Sequence, residues 1–202
     1  EIPEGAWDLS YAYYGPPNEG AWDVTVSMFT GSRSVSAQNL NPQDVFFKPD
    51  GLKMYTVDDN LFALVGVNEY SLSTAWDIQT TSYVQNFSVS TQEADPTGVF
   101  FKPDGTKMYV IGYAGRDVNE YSLSTAWNIS TASYVRNFSV NTQETAPQDV
   151  FFKSDGTKMY IVGTSGDDVN EYSLSTAWNI STASYVRNFS VSAQELTPTG
   201  LS

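Results

Sequence analysis

The sequence predicts an all-β fold, a β-propeller built from four-stranded antiparallel blades of 51 residues or slightly more, with an incomplete ring in one chain. Three observations predict it. One unit recurs three times, and the copy at Pro96–Ala146 matches the copy at Pro147–Thr197 at 39 of 51 positions. A period of this size marks a stacked or closed repeat array. Each unit is rich in Val, Phe, Tyr and Thr, the residues of pleated, half-buried strands. Turn signals break each unit every ten residues or so, which sets strands that short side by side.

The elements follow in order within the second unit. Val99-Phe100-Phe101-Lys102 is a β-branched and aromatic run, the first strand. Pro103-Asp104-Gly105 is a tight turn, since Pro presets the first turn position and Gly accepts positive φ. The turn glycines are therefore structural: Gly51, Gly105 and Gly156. Lys107 to Ile111 is the second strand, and Gly112 to Arg116 a loop. Asp117 to Leu123 alternates, with Val118, Glu120 and Ser122 on one face and Asn119, Tyr121 and Leu123 on the other. The connection STAWNISTA leads to a fourth strand, Ser133 to Val140. Each unit carries one Trp at a fixed place, Trp76, Trp127 and Trp178, read as a packing wedge between blades rather than a stacking platform for sugars.

Composition narrows the function. The chain has 202 residues and a net charge of −13. Such a surface repels nucleic-acid phosphates and anionic lipid, so no nucleic-acid partner is expected. There is no Cys and no His, which removes thiolate chemistry, disulfides and the commonest general base. No apolar run has the length of a membrane span. Five N-x-S sequons, at Asn86, Asn128, Asn137, Asn179 and Asn188, track the repeat and read as copied strand sequence.

The stretch PTGVFFKPDGTKMYV (Pro96 to Val110) resembles the blade opening of the YVTN and lactonase-like family of β-propellers. The pattern recurs at Pro42–Thr56 and at Pro147–Ile161, where Ser154 replaces the turn Pro. The second half of each unit, STAW(D/N)I to NFSV, departs from that family and loosely resembles repeats of marine viral and bacterial surface proteins. The resemblance implies a propeller and, for some relatives, a hydrolase.

The copies start and stop out of phase. Residues 42–95, 96–146 and 147–197 are blades 1, 2 and 3, and residues 198–202 begin another first strand. Residues 1–41 read as degenerate partial repeats, with Ala21–Asn41 aligned to Ala75–Asp95 and expected to supply a leading fourth strand. Three blades fall below the usual ring of about 4–8. The chain therefore reads as a fragment of a longer propeller that self-associates, as a homodimer giving about seven or eight blades.

Differences between the copies concentrate in the loops between second and third strands and in the inter-blade connections. Tyr113, Ala114 and Arg116 become Thr164, Ser165 and Asp167, and Thr97-Gly98 becomes Gln148-Asp149. In an antiparallel blade these segments share one rim. The first unit has a longer loop there, with Asp58, Asp59, Asn60, Leu61 and Phe62. Loops on a rigid scaffold carry binding function, so the binding candidates are Asp58, Asp59, Asn60, Phe62, Tyr113, Arg116, Asp117, Asp167 and Asp168. Asp58, Asp59 and Asn60, and Asp167 with Asp168, offer oxygens of the kind Ca²⁺ takes, but their spacing matches no calcium loop. No catalytic residues are assigned, because the polar residues are mostly copied from blade to blade. The expected function is a non-catalytic scaffold for protein or glycan recognition, in an extracellular or surface-exposed setting. The alternatives are part of a lactonase-like hydrolase and an architectural repeat of a virion or cell-surface assembly.

Overall fold

A computed structural model describes residues 29–59 and 65–201. The chain divides into two compact units, Glu1–Ser32 and Arg33–Ser202, and the strands below belong to the second. Asn60 and Phe62, and the degenerate repeat up to residue 28, lie outside the described residues.

Three four-stranded antiparallel sheets follow one another in sequence order. Blade 1 contains β1 (Pro42–Phe47), β2 (Lys53–Asp58), β3 (Gly66–Leu72) and β4 (Thr81–Ser88). Blade 2 contains β5 (Pro96–Phe101), β6 (Lys107–Gly112), β7 (Asp117–Leu123) and β8 (Ala132–Ser139). Blade 3 contains β9 (Pro147–Phe152), β10 (Lys158–Gly163), β11 (Asp168–Leu174) and β12 (Ala183–Ser190). The first strands are neighbours, β1 against β5 and β5 against β9, so they form the inner wall of the array. The architecture is that of propeller blades.

Alternation along β7 serves two neighbours at once. Tyr121 and Leu123 pack toward blade 1, with Tyr55, Val57, Val67 and Val89. Val118 packs toward blade 3, with Tyr109, Val150, Phe152 and Ile180. A strand buried on both faces needs apolar residues in both registers, and the repeat supplies them.

The turn glycine and the tryptophan of each blade form a lock. Gly105 has φ 72°, and a Cβ placed on it would stand 2.4 Å from the Trp127 indole. Trp127 is itself left-handed, at φ 63°, and its N–H donates to the Gly105 carbonyl at 3.0 Å. Gly51 with Trp76 and Gly156 with Trp178 repeat this arrangement. A left-handed conformation is costly for a bulky residue, and here it lays the indole over the turn. The ring stacks on Phe101 of its own blade and on Phe46 and Tyr55 of the preceding one. With 8% of Trp127 and of Trp178 exposed, neither ring has a free face for a sugar. After the Trp, one turn of 3₁₀ helix (Ile129–Thr131) is capped by Asn128, whose side chain accepts the Ser130 N–H.

Residues 29–35 carry no assigned strand, and the earlier part of the segment expected to supply a leading fourth strand lies outside the described residues. The turn that follows is kept: Gln38 and Asn39 N–H both donate to the Val35 carbonyl, as Gln92 and Glu93 do to Val89.

Gly105→Ala should destabilise the chain by about 2–4 kcal/mol, from a left-handed Ala plus the clash with Trp127. Urea unfolding followed by tryptophan fluorescence measures it. A change under about 0.5 kcal/mol would disprove the lock.

Candidate functional site

The polar residues of the array sort into two rims and an axial wall. On the rim of the PDG turns, side chains repeated from blade to blade bind the next blade. The Trp127 carbonyl accepts the Tyr55 hydroxyl and the Lys53 ammonium, both at 2.8 Å. Glu69 pairs with Lys53 at 2.5 Å and accepts the Ile129 N–H at 3.2 Å. Tyr109 and Lys107 repeat this on the Trp178 carbonyl. Burial, and then the neighbouring glutamate, pushes the Tyr55 and Tyr109 hydroxyls far above their ordinary pKa, which keeps them as donors. On this rim the lysine, tyrosine and glutamate are taken up by contacts to the next blade, while the turn residues Pro103 and Asp104 stay exposed.

The opposite rim gathers the inter-blade connections and the second-to-third-strand loops. A buried glutamate holds the two together. Glu93 accepts the N–H groups of Asp95 (2.8 Å), Ala114 (3.1 Å) and Gly115 (2.8 Å). Burial raises its pKa, against the backbone donors that lower it. Glu144 does the same for Ala146, Ser165 and Gly166. Gly112 and Gly163 leave room for these carboxylates, since a Cβ on either would stand 2.3–2.4 Å from the glutamate's Cδ. In blade 1 the carboxylate has changed strands: Asn39 replaces the glutamate, Asp58 replaces the glycine, and Asp58 accepts the Leu40 N–H at 3.0 Å.

Burial divides the predicted rim residues. Asp58, Asp117 and Asp168 are buried, although the sequence places them among the rim candidates. Asp117 accepts from Asn119 at 2.7 Å and from Asn137, and Asp168 accepts from Asn170 and Asn188. Two strand asparagines thus clamp each aspartate across β7–β8 and β11–β12. Burial raises the Asp117 pKa against these bonds. The sequons at Asn137 and Asn188 serve these clamps, and those at Asn128 and Asn179 serve the 3₁₀ caps.

The other described candidates, Asp59, Tyr113, Arg116 and Asp167, reach the surface. Tyr113 is 46% exposed, with the Arg116 guanidinium 5.8 Å from its ring centre. Arg116 donates to Asn141 at 3.3 Å. Arg116 and Asp167 both have positive φ, 52° and 46°, and so mark the same loop corner in successive blades. Asp59 accepts from Asn41 (2.6 Å) and Gln43 (2.8 Å), and it faces Asp95, whose pKa is raised by burial and then by the Asp59 charge. Asp58 and Asp59 belong to different environments, and so do Asp167 and Asp168. Among the described residues no three acidic side chains converge as a metal cluster.

The inner wall carries acids that were not among the sequence candidates. Asp44 accepts the Val99 N–H at 2.9 Å, bridging blade 1 to blade 2. Asp149 accepts the Val150 N–H at 2.7 Å and the Leu201 N–H at 2.7 Å. Blade 2 has Gly98 at this position, and a Cβ there would stand 2.8 Å from the Asp149 carboxylate. Thr97 takes over the inter-blade bond, donating to the Pro147 carbonyl at 3.1 Å. Burial, and then the Asp44 charge, pushes the Asp149 pKa to about 7. The exchange of Thr97-Gly98 for Gln148-Asp149 was the available signal. It marks the axial wall as well as the rim.

No family model and no curated protein matches this sequence. Solved structures do match. A provisional 6-phosphogluconolactonase of Bacteroides fragilis NCTC 9343 has a TM-score of 0.53 at 12% identity, over 74% of this chain and 39% of that one. A provisional 6-phosphogluconolactonase of Bacteroides uniformis ATCC 8492 has a TM-score of 0.52 at 17% identity, over 88% and 48%. A functionally unknown protein of Desulfotomaculum acetoxidans DSM 771 has a TM-score of 0.51 at 16% identity, over 74% and 42%. The fold is that of β-propeller blades, and two of these structural neighbours carry lactonase names. This chain spans less than half the length of each of these matches. Among the described residues no helix is long and apolar enough to cross a membrane.

Two outcomes are expected. Glu144→Ala should cost about 2–4 kcal/mol by stranding backbone donors. Glu195→Ala, at the exposed counterpart, should stay within about 0.5 kcal/mol; denaturant midpoints compare them. Asp149 binds its proton more tightly folded than unfolded, so the folded state holds the extra proton between about pH 4 and 7. Stability from this group therefore falls as pH rises through that window. Asp149→Asn should flatten that part of the stability–pH curve, and an unchanged slope would refute the assignment.

Proposed function

We propose that this chain is a non-catalytic propeller scaffold that recognises a protein or glycan through the rim of its inter-blade connections, in an extracellular or surface-exposed setting. One observation carries the reading. Residues constant between blades on that rim, Glu93 with Glu144 and Asp117 with Asp168, are buried and hydrogen-bonded. Residues that vary, Tyr113, Arg116 and Asn141 against Thr164, Asp167 and Ser192, are wholly or partly exposed above them. A rigid base with exchangeable exposed side chains is the arrangement recognition loops use. Self-association of the chain belongs to the same proposal.

The axial acids favour a second reading, part of a lactonase-like hydrolase. Asp149, with a pKa near 7 beside Asp44, has the protonation behaviour of a general base. Both its oxygens already hold backbone N–H groups, which makes the structural role the stronger one.

Exchanging the blade 2 loop for its blade 3 counterpart (Tyr113→Thr, Ala114→Ser, Arg116→Asp) tests the first reading. On a glycan and protein array the exchanged chain should lose at least about ten-fold in affinity for whatever the parent binds, with its unfolding midpoint unchanged. Equal binding would refute rim recognition. Turnover of sugar lactones that is abolished by Asp149→Asn would move the assignment to the second reading.

A further inference from the structure

We infer that the Asp50–Gly51 bond of blade 1 is a site of spontaneous succinimide and isoaspartate formation, and that this modification uncouples the turn glycine from its tryptophan. The site lies on the rim opposite the proposed recognition loops.

Aspartate followed by glycine is the pair in which this chemistry is least hindered, because the glycine nitrogen has no neighbouring side chain to block its approach. The chain has three such pairs, one in each blade turn: Asp50–Gly51, Asp104–Gly105 and Asp155–Gly156. All three aspartates are exposed. The glycine nitrogen attacks the aspartate Cγ and forms a new C–N bond. The N–H proton and the carboxyl OH leave together as water. Water then opens the ring at either carbonyl. Opening beside Cα leaves the main chain running through Cβ and Cγ. The sum is an isomerisation that needs only the solvent.

The reacting carboxyl must be released and protonated, and here the blades differ. In every turn the carboxylate accepts a lysine ammonium at 2.6 Å and the N–H two residues later at 3.0 Å. The glycine N–H is also held alike, on the carbonyl of Lys48, Lys102 or Lys153 at 2.7–2.8 Å. Blades 2 and 3 add a third bond, from the Thr106 hydroxyl to Asp104 and from the Thr157 hydroxyl to Asp155, both at 2.6 Å. Blade 1 has the exposed Leu52 at that place and no hydroxyl to give. A short hydroxyl bond favours the ionised carboxylate, which is a poor electrophile. Burial raises the Asp104 pKa, but Lys102 and then Thr106 outweigh it and bring it to about 2. Asp50 is lowered by Lys48 without that hydroxyl. Ser154 replaces the turn proline in blade 3, yet Gly156 keeps φ 72° and the hydroxyl bond stays, so Asp155 sides with Asp104.

Isoaspartate adds one carbon to the backbone between residue 50 and Gly51. A Cβ on Gly51 would already stand 2.4 Å from the Trp76 indole, and the Gly51 carbonyl accepts the Trp76 N–H at 2.9 Å. A turn lengthened by a bond of about 1.5 Å keeps neither contact.

The folded chain is incubated at neutral pH in heavy-oxygen water, and the isomer at each turn is counted by peptide mapping. Isoaspartate should build up at Asp50 at least about three-fold faster than at Asp104, the effect of one hydrogen bond to a charged group. In urea the two sites should react alike, since Lys-Pro-Asp-Gly is common to both. Leu52→Thr should bring Asp50 down to the Asp104 rate, and Thr106→Val should raise Asp104. Both positions are exposed, so both variants should keep the parent's unfolding midpoint. The fraction modified at Asp50 should unfold at lower urea than the unmodified chain. Equal rates at Asp50 and Asp104 in the folded chain, the same preference in urea, or a Leu52→Thr chain that reacts as before overturns the site. A modified fraction with the parent's midpoint overturns the coupling to the tryptophan.

Discussion

The contact between a left-handed tryptophan and a left-handed turn glycine is the constraint on which each blade depends. Gly105 has no Cβ, so the Trp127 indole can lie on the turn. The positive φ at Trp127 makes the ring reach it. The same backbone conformation leaves the Trp127 carbonyl facing blade 1, where Tyr55 and Lys53 bind it. One strained residue thus closes its own blade and fastens the preceding one. Stacking on Phe46, Tyr55 and Phe101 offsets the backbone cost.

The second fastening is electrostatic and lies on the other rim. Glu93 and Glu144 place carboxylates at successive backbone N–H groups of the following blade's loop. Blade 1 reaches a related end with Asn39 and Asp58. The charge has moved from the connection to the strand, and the glycine opposite the glutamate has become the aspartate. Steric room and charge are exchanged together because both occupy the same few ångströms. The functional reading depends on a division seen between blades 2 and 3 on this rim: Glu93 with Glu144 and Asp117 with Asp168 are buried and constant, and the loop side chains that differ are wholly or partly exposed above them.

Most of the fold was legible in the chain. The 51-residue period, the Pro-Asp-Gly turns and the alternation of Asp117–Leu123 locate the strands, since turn chemistry and pleat periodicity are local properties. The candidate site was less legible. Asp58 and Asp59 are adjacent in sequence and opposite in fate, one buried on Leu40 and one held at the rim by Asn41 and Gln43. Asp117 and Asp168 read as loop acids yet sit under paired asparagines.

By itself the sequence determined the repeat, its β character and the absence of His and Cys chemistry, because composition and periodicity need no partner to be read. Only the tertiary structure decided which carboxylates are fasteners and which face outward. Burial is set by what the next blade brings to within hydrogen-bonding distance. Asp149 meets Asp44 across Gly98 through residues about fifty apart in sequence, a meeting that no local pattern encodes.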